Sequence, residues 1–111
     1  MNYTTIEQSK TLLDLGLSPD TADMCYCSIC YDTQGPWCNV AKTHKPDLEF
    51  NDLPCWSASA LLSLIRKYTL QTISDNCILL VCETHDHCIN GNSIIEVCYK
   101  MIEWLLKNKL I

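Results

Sequence analysis

Apolar side chains recur at helical spacing in three segments of the chain. In the first segment, Thr4 and Thr5 are both candidate caps, because each is followed three residues later by Glu or Gln, as in a capping box. Gly16 favours the left-handed conformation that ends a helix, so the pattern predicts a helix over residues 5–15. A serine followed by a proline, at residues 18–19, then predicts a second, short helix.

The other two helical segments lie in the second half of the chain. Apolar residues spaced three and four apart predict an amphipathic helix that runs from Pro54 to about Tyr68. Near the end of the sequence, Ser93 and Glu96 form a further capping box directly before a broad apolar band. This band predicts a long helix at the centre of the core, which ends near residues 107–108.

The remaining segments lack a helical period, and several of them are rich in residues that favour strands. Four segments have strand-like composition: residues 25–31, 37–40, 69–74 and 77–83. The first two are separated by Gln-Gly-Pro, which predicts a hairpin with a loose loop. Residues 41–53 and 84–92 predict loops, because they are polar and contain turn-forming residues.

Strands that follow one another with short links favour antiparallel pairing. The sequence therefore predicts an α+β fold, in which a small, mainly antiparallel sheet of about four strands packs against about three helices. The chain has 111 residues, which predicts a single domain over residues 1–111 that can bury a core without disulfides or metal.

Charge and composition narrow the range of functions. The formal net charge is -5, from 13 acidic and 8 basic residues, and an acidic chain repels a phosphate backbone, which disfavours nucleic-acid binding. The sequence has no apolar run long enough to span a membrane and no signal-peptide pattern, so we expect a cytoplasmic protein without membrane association. The odd number of cysteines, nine, and a reducing compartment argue against a disulfide framework.

The cysteines also raise the question of a metal site. Zinc prefers four thiolate or imidazole ligands, often separated by short spacers. One candidate set consists of four cysteines in the early cysteine-rich stretch: Cys25, Cys27, Cys30 and Cys38. An alternative set combines two of these with the predicted loop near the last helix: Cys27, Cys30, His85 and Cys88.

Side-chain alternation restricts these zinc sites. If residues 25–31 form a strand, Cys25 and Cys27 point to one face and Cys30 points to the other. A single metal ion can then bind all three cysteines only if the chain bends or bulges between them. The alternative is that the cysteines are reduced thiols that pack as small hydrophobic side chains, with no cofactor bound.

A thiol enzyme is a third interpretation of the cysteines. A nucleophilic thiolate needs a lowered pKa and a neighbouring base. Cys55 is the best single candidate, because the helix predicted to start at Pro54 would lower the pKa of a thiol at its N-terminus. The alternative for Cys55 is a packed core position, and the sequence assigns no catalytic or cofactor-binding residue.

Three blocks of the sequence resemble a family of small proteins from gut anaerobes of the Bacteroidales and from their phages and mobile elements. The blocks are MNYTTIEQSKTLLDLGLSPDTADM, DLPCWSASALLSL and EVCYKMIEWLLKNKLI. No activity, cofactor or catalytic residue is assigned to that family, so the resemblance implies a cytoplasmic or phage-associated setting and carries over no functional residue. The cysteine-rich stretch and the THDHC segment lie outside the three blocks.

These observations favour a non-enzymatic accessory protein that acts through contact with another protein. A zinc-stabilised module and a cysteine-thiol enzyme are the alternatives. The accessory-protein hypothesis predicts exposed aromatic or apolar side chains, for which Tyr3, Trp37 and Phe50 are the candidates. The sequence leaves the identity of the partner and the oligomeric state open.

Overall fold

The computed structural model describes residues 2–28 and 41–111. It divides the chain into an N-terminal unit, Tyr3–Ser57, and a C-terminal unit, which comprises Ala58–Ile111 together with Met1–Asn2. The described elements are helices and antiparallel strands, which confirms the predicted α+β class, although the strands form two sheets rather than one. The single domain stays a prediction.

The N-terminal unit begins with helix α1, Ile6–Asp14, which confirms the predicted first helix. Thr5 is the cap, since its hydroxyl oxygen accepts a hydrogen bond from the Gln8 amide at 3.1 Å, and the Gln8 side chain accepts one from the Thr5 amide at 3.0 Å. Gly16 follows the helix with φ +100°, which is the left-handed stop that the sequence predicts.

Short elements make up the rest of this unit. They are the 3₁₀ turn Pro19–Thr21, strand β1 (Met24–Tyr26), the 3₁₀ turn Leu48–Phe50 and strand β2 (Leu53–Cys55). The two strands pair antiparallel with Cys25 opposite Pro54, and α1 packs on β2. Strand β1 overlaps the predicted strand 25–31 only at Cys25 and Tyr26, whereas the predicted return strand 37–40 lies outside the described residues.

The predicted helix start at Pro54 is wrong, because Pro54 is the central residue of β2. The residues after it are held by contacts with the turn that precedes β1. The Trp56 indole donates to the Thr21 hydroxyl at 2.9 Å, and the Ser57 amide donates to the Asp23 carboxylate at 2.9 Å. These distant partners override the local helical pattern and delay the helix.

The C-terminal unit has a three-stranded antiparallel sheet and two helices. Its elements are α2 (Ala58–Ser63), β3 (Tyr68–Ser74), β4 (Cys77–Cys82), β5 (His87–Gly91) and α3 (Ile94–Lys107). The strand order is β3-β4-β5, which confirms two predicted strands. The helix predicted to reach Tyr68 ends at Ser63 instead.

Helix α3 supplies much of the core of this unit, as its broad apolar band predicts. Its buried residues are Ile95, Val97, Cys98, Met101, Ile102 and Leu105. It packs on β4, β5 and α2. The Ser93 hydroxyl caps the helix by accepting a hydrogen bond from the Glu96 amide at 3.2 Å, and the Glu96 carboxylate accepts one from the Asn92 amide at 3.0 Å.

The loop predicted over residues 84–92 is wrong in its second half, which forms β5. A tight turn with Asp86 at φ 53° reverses the chain, so that His87 pairs with Cys82. A Cβ at Gly91 would come within 3.0 Å of the Val97 side chain, so glycine lets the start of α3 approach the strand. The predicted loop pattern fails here because the strand is short and mostly polar.

Candidate metal centre

The candidate site forms where strand β1 ends. Cys25 is the central residue of this strand and is fully buried, and Cys27 is the first residue after it. Because side chains alternate along extended backbone, both point to the same face, as the sequence predicts. Their sulfur atoms lie 3.8 Å apart.

A second segment of chain brings a histidine to this face. Cys25 and Lys42 form an isolated antiparallel bridge, with the Cys25 amide donating to the Lys42 carbonyl at 3.0 Å and the reverse bond at 2.8 Å. His44 follows two residues later and is exposed. The bridge therefore fixes the position from which the imidazole reaches the two sulfur atoms.

The imidazole ring of His44 lies beside both thiols. Its Nε2 is 3.8 Å from the sulfur of Cys25 and 3.8 Å from that of Cys27. Its Nδ1 is 3.4 Å from the Cys25 sulfur and 3.0 Å from the Lys45 carbonyl oxygen. When Nδ1 carries the proton and donates to Lys45, the lone pair of Nε2 is available for a metal ion, which is the usual arrangement of a ligating histidine.

These distances match one face of a zinc coordination tetrahedron. With Zn–S bonds of about 2.3 Å and Zn–N bonds of about 2.0–2.1 Å, tetrahedral angles place two sulfur ligands about 3.8 Å apart and a sulfur and a nitrogen about 3.6 Å apart. The three atoms observed lie 3.8 Å from one another when Nε2 is the ligand. The spacing of the ligand atoms of Cys25, Cys27 and His44 is therefore compatible with their binding one ion.

Burial and the neighbouring groups disfavour ionisation of the Cys25 thiol in the absence of a cation. Burial, followed by the neighbouring Cys27 and Asp52, raises the pKa of the Cys25 thiol to about 12. The Asp52 carboxylate also accepts hydrogen bonds from the amides of Ser28 and Asp47, each at 3.0 Å. A divalent cation would reverse this balance, since it stabilises thiolates directly.

The structure brings together two of the predicted ligands and adds one that the sequence analysis missed. Cys25 and Cys27 meet, and His44 joins them from a segment predicted to be a plain loop. Cys30 and Cys38 lie outside the described residues, so the four-cysteine site stays a prediction. The sequence signal that could have identified His44 as a ligand is its position shortly after the predicted hairpin of cysteine-rich sequence.

The predicted ligands His85 and Cys88 belong to the C-terminal unit, so the set that joins them to Cys27 and Cys30 also stays a prediction. Cys88 is exposed on β5. The ring of His87 stacks on that of Trp104, with centroids 3.7 Å apart and planes at 5°. The ring of His85 makes a looser, tilted contact with the same Trp104 ring. These contacts give the histidines a packing role.

The prediction that Cys55 lies at a helix N-terminus is wrong. Cys55 ends strand β2 and is fully buried, where its thiol donates to the Thr4 carbonyl at 3.4 Å. Burial raises the pKa of this thiol, which opposes the thiolate that nucleophilic catalysis needs. Burial likewise raises the pKa of Cys98 to about 11. All seven cysteines that the structure describes are free thiols.

Comparison with known proteins identified no relative of this chain. No protein-family model, no curated protein and no solved structure matches the chain. The resemblance to a Bacteroidales and phage family therefore stays a prediction. Within residues 2–28 and 41–111, every helix falls short of the length and apolar character needed to cross a membrane.

Proposed function

We propose that this chain is a zinc-binding protein in which Cys25, Cys27 and His44 hold the ion. The observation that carries the proposal is the near-equilateral triangle of their ligand atoms, with sides of 3.8 Å. The sulfur atoms lie on one strand and the nitrogen lies on a segment 17 residues further along the chain from Cys27, so the ion would connect the two.

The chemistry of the donor set favours zinc. Two thiolates and an imidazole are soft and borderline ligands, which suit zinc, whereas calcium and magnesium prefer oxygen. Three protein ligands leave one tetrahedral position for water or for a fourth side chain. Cys30 and Cys38 stay the predicted candidates for a fourth ligand, and a closed four-ligand site would be a structural one.

A metal ion would add support where the N-terminal unit has little regular structure. Its two strands are three residues long, and α1 packs against them. The segment after Lys42 consists of bends and a single 3₁₀ turn until β2 begins. Zinc bound by Cys27 and His44 would fix this segment against the end of β1, so its role is to stabilise the unit.

Metal analysis tests the proposal directly. Protein purified without added metal is expected to carry zinc, and the variants Cys27→Ser and His44→Ala are expected to lose it. Cys88→Ser and His85→Ala are matched controls, because they remove the same ligand types from the other unit. Wild-type protein free of zinc that also fails to bind added zinc or cobalt would contradict the proposal.

Cobalt substitution identifies the ligands. In the wild type, Co(II) is expected to give thiolate-to-metal charge-transfer absorption and the strong visible bands of tetrahedral geometry. Cys27→Ser should weaken the charge-transfer band, and His44→Ala should leave the band but weaken binding. Cys30→Ser and Cys38→Ser then show whether either residue supplies the fourth ligand.

Contact with a protein partner is a second proposal, and exposed apolar side chains support it. Leu48 and Phe50 are 52% and 55% exposed on the 3₁₀ turn that leads to Asp52. Phe50 was predicted to be exposed, whereas Tyr3 is half-buried against the core of its unit. We expect a partner captured by the zinc-loaded wild type to be lost with the double variant L48S/F50S and kept with Ile73→Ser.

A further inference from the structure

The C-terminal unit contains a cavity of about 260 Å³. Its walls come from the segment that follows α2, from the end of β4 with the turn after it, and from the end of α3 with the residues after it. All of the lining residues belong to this one unit. The volume lies slightly below the range of about 300–1,000 Å³ that is typical of pockets for drug-sized ligands, which indicates a small ligand.

The deep part of the cavity is apolar. Three of its lining residues are almost fully buried and form its floor: Ile65, Cys82 and Leu105. A buried thiol packs as a small hydrophobic group, so the Cys82 side chain extends the apolar surface. Leu110 and Ile111 also line the cavity but are exposed, and they continue this surface to its mouth. An aliphatic chain would therefore meet apolar side chains from the mouth to the floor.

The mouth also carries three polar side chains, which belong to Arg66, Thr84 and His85. Within residues 2–28 and 41–111, the Arg66 guanidinium takes part in none of the ion pairs. Neither it, nor the Thr84 hydroxyl, nor the His85 imidazole has a hydrogen-bond partner among those residues, although the imidazole lies beside the Trp104 ring. Three side chains that can donate hydrogen bonds are thus left available at the entrance of an apolar cavity.

The charge at the mouth is positive, although the chain as a whole has a formal net charge of -5. None of the side chains that line the cavity is acidic. The neighbouring Glu83 carboxylate is already engaged, since it pairs with Lys67 at 3.6 Å and accepts a hydrogen bond from the Thr69 hydroxyl. Arg66 is therefore a cation without a partner, whereas Lys67, the next residue, has one.

We propose that this cavity binds an aliphatic carboxylate of short to medium chain length. The chain lies on the apolar floor, and the carboxylate lies at the mouth, where Arg66 and Thr84 donate hydrogen bonds to it. A guanidinium matches a carboxylate through two parallel hydrogen bonds. The single permanent cation at the mouth balances one negative charge, which favours a carboxylate over a phosphate dianion.

Calorimetric titration of the full chain with straight-chain carboxylates, from butanoate to octanoate, tests the proposal. Each methylene group that enters the apolar cavity should raise the affinity about fourfold, until the chain fills the cavity and the affinity stops rising. Hexan-1-ol is the neutral probe, because it has the chain of hexanoate without the charge. We expect the wild type to bind hexanoate more tightly than hexan-1-ol.

Two variants separate the head group from the chain. Arg66→Gln removes the cation and should weaken the binding of hexanoate about tenfold while leaving that of hexan-1-ol unchanged. Lys67→Gln is its matched control, because it removes a neighbouring cation that lies outside the lining, and it should leave both affinities unchanged. Leu64→Trp should fill the cavity and abolish the binding of both probes.

The control for Leu64→Trp is Ile73→Trp, which adds the same side chain at an exposed position of β3 outside the lining and should bind both probes normally. Circular dichroism verifies the folding of each variant. If Leu64→Trp unfolds, the chain-length limit of the wild type and the Arg66→Gln variant decide. Heteronuclear NMR spectra give the location, since the amide shifts on addition of hexanoate should be largest around His85 and Leu105 and smallest in α1.

Three results would overturn the proposal. The first is a wild type that binds none of the carboxylates in the millimolar range. The second is equal affinity for hexanoate and hexan-1-ol, or equal weakening of hexanoate binding by Arg66→Gln and Lys67→Gln, since the cation at the mouth would then have no role. The third is binding that folded Leu64→Trp retains, because the ligand would then lie elsewhere.

Discussion

The two units of this chain are stabilised in different ways. In the C-terminal unit a fourteen-residue helix covers a three-stranded sheet, and apolar side chains fill the space between them. In the N-terminal unit the strands have three residues each and share a small apolar cluster with α1, and hydroxyl and carboxylate groups make several of the contacts that join distant segments. Under the zinc proposal, the N-terminal unit would gain stability from a metal ion in addition to its core, whereas the C-terminal unit would not.

Removal of the metal is expected to have the largest effect on the stability of one unit relative to the other. Zinc supplies on the order of 10 kcal/mol in small zinc-dependent modules, so we expect a chelator to unfold much of the N-terminal unit. Hydrogen exchange followed by mass spectrometry measures this effect. We expect amide protection to be lost around Cys25 and retained in α3. Equal protection in both units with and without chelator would contradict the proposed role of the ion.

A core substitution in α3 should have the opposite pattern. Met101 is fully buried, so Met101→Ala leaves a cavity and should lower the free energy of unfolding by about 2–5 kcal/mol. Chemical denaturation measures the change, and hydrogen exchange should place it mainly in the C-terminal unit. Zinc content should not change. Loss of zinc in this variant would mean that the two units depend on each other.

The two helix caps offer a matched pair of smaller perturbations. Thr5→Ala and Ser93→Ala each remove a hydroxyl that accepts a hydrogen bond from the first turn, and each should cost about 1 kcal/mol. Local hydrogen exchange should show the larger loss in α1 for the first variant and in α3 for the second. Equal effects on both helices would contradict separate stabilisation.

The smallest effect concerns the pH dependence of the C-terminal unit. The Asn92 amide, followed by Lys100, holds the pKa of Glu96 below its ordinary value. A carboxyl whose pKa is lower in the folded state contributes stability above its unfolded pKa and loses it as the pH falls. Glu96→Gln should therefore be less stable than the wild type at neutral pH, and thermal unfolding should show the difference vanish in acid. A difference that persists in acid would contradict this account.

The sequence predicts the C-terminal unit better than the N-terminal unit for a physical reason. Helix α3 and strand β4 are specified by apolar periodicity and by a cap within the segment itself, so a local pattern suffices. The helix expected at Pro54 fails because Trp56 and Ser57 bind residues more than thirty positions away. The sequence analysis misses strand β5 because this segment becomes a strand through pairing with β4 rather than through its own composition.

The candidate site, too, could be predicted from local sequence patterns only in part. Alternation along β1 correctly places Cys25 and Cys27 on one face, because that rule depends only on extended backbone. His44 joins them through the bridge between Cys25 and Lys42, and this pairing follows from tertiary structure rather than from spacing. The candidate site, which is assembled across a loop, is therefore predicted only in part from its cysteines.

Zinc content per chain tests the central claim most directly. Elemental mass spectrometry is applied to protein purified without added metal, for the wild type, His44→Ala and the control His85→Ala. We predict close to one zinc per chain in the wild type and in His85→Ala, and little in His44→Ala. Zinc absent from the wild type, or retained in full by His44→Ala, would contradict the assignment of Cys25, Cys27 and His44 as its ligands.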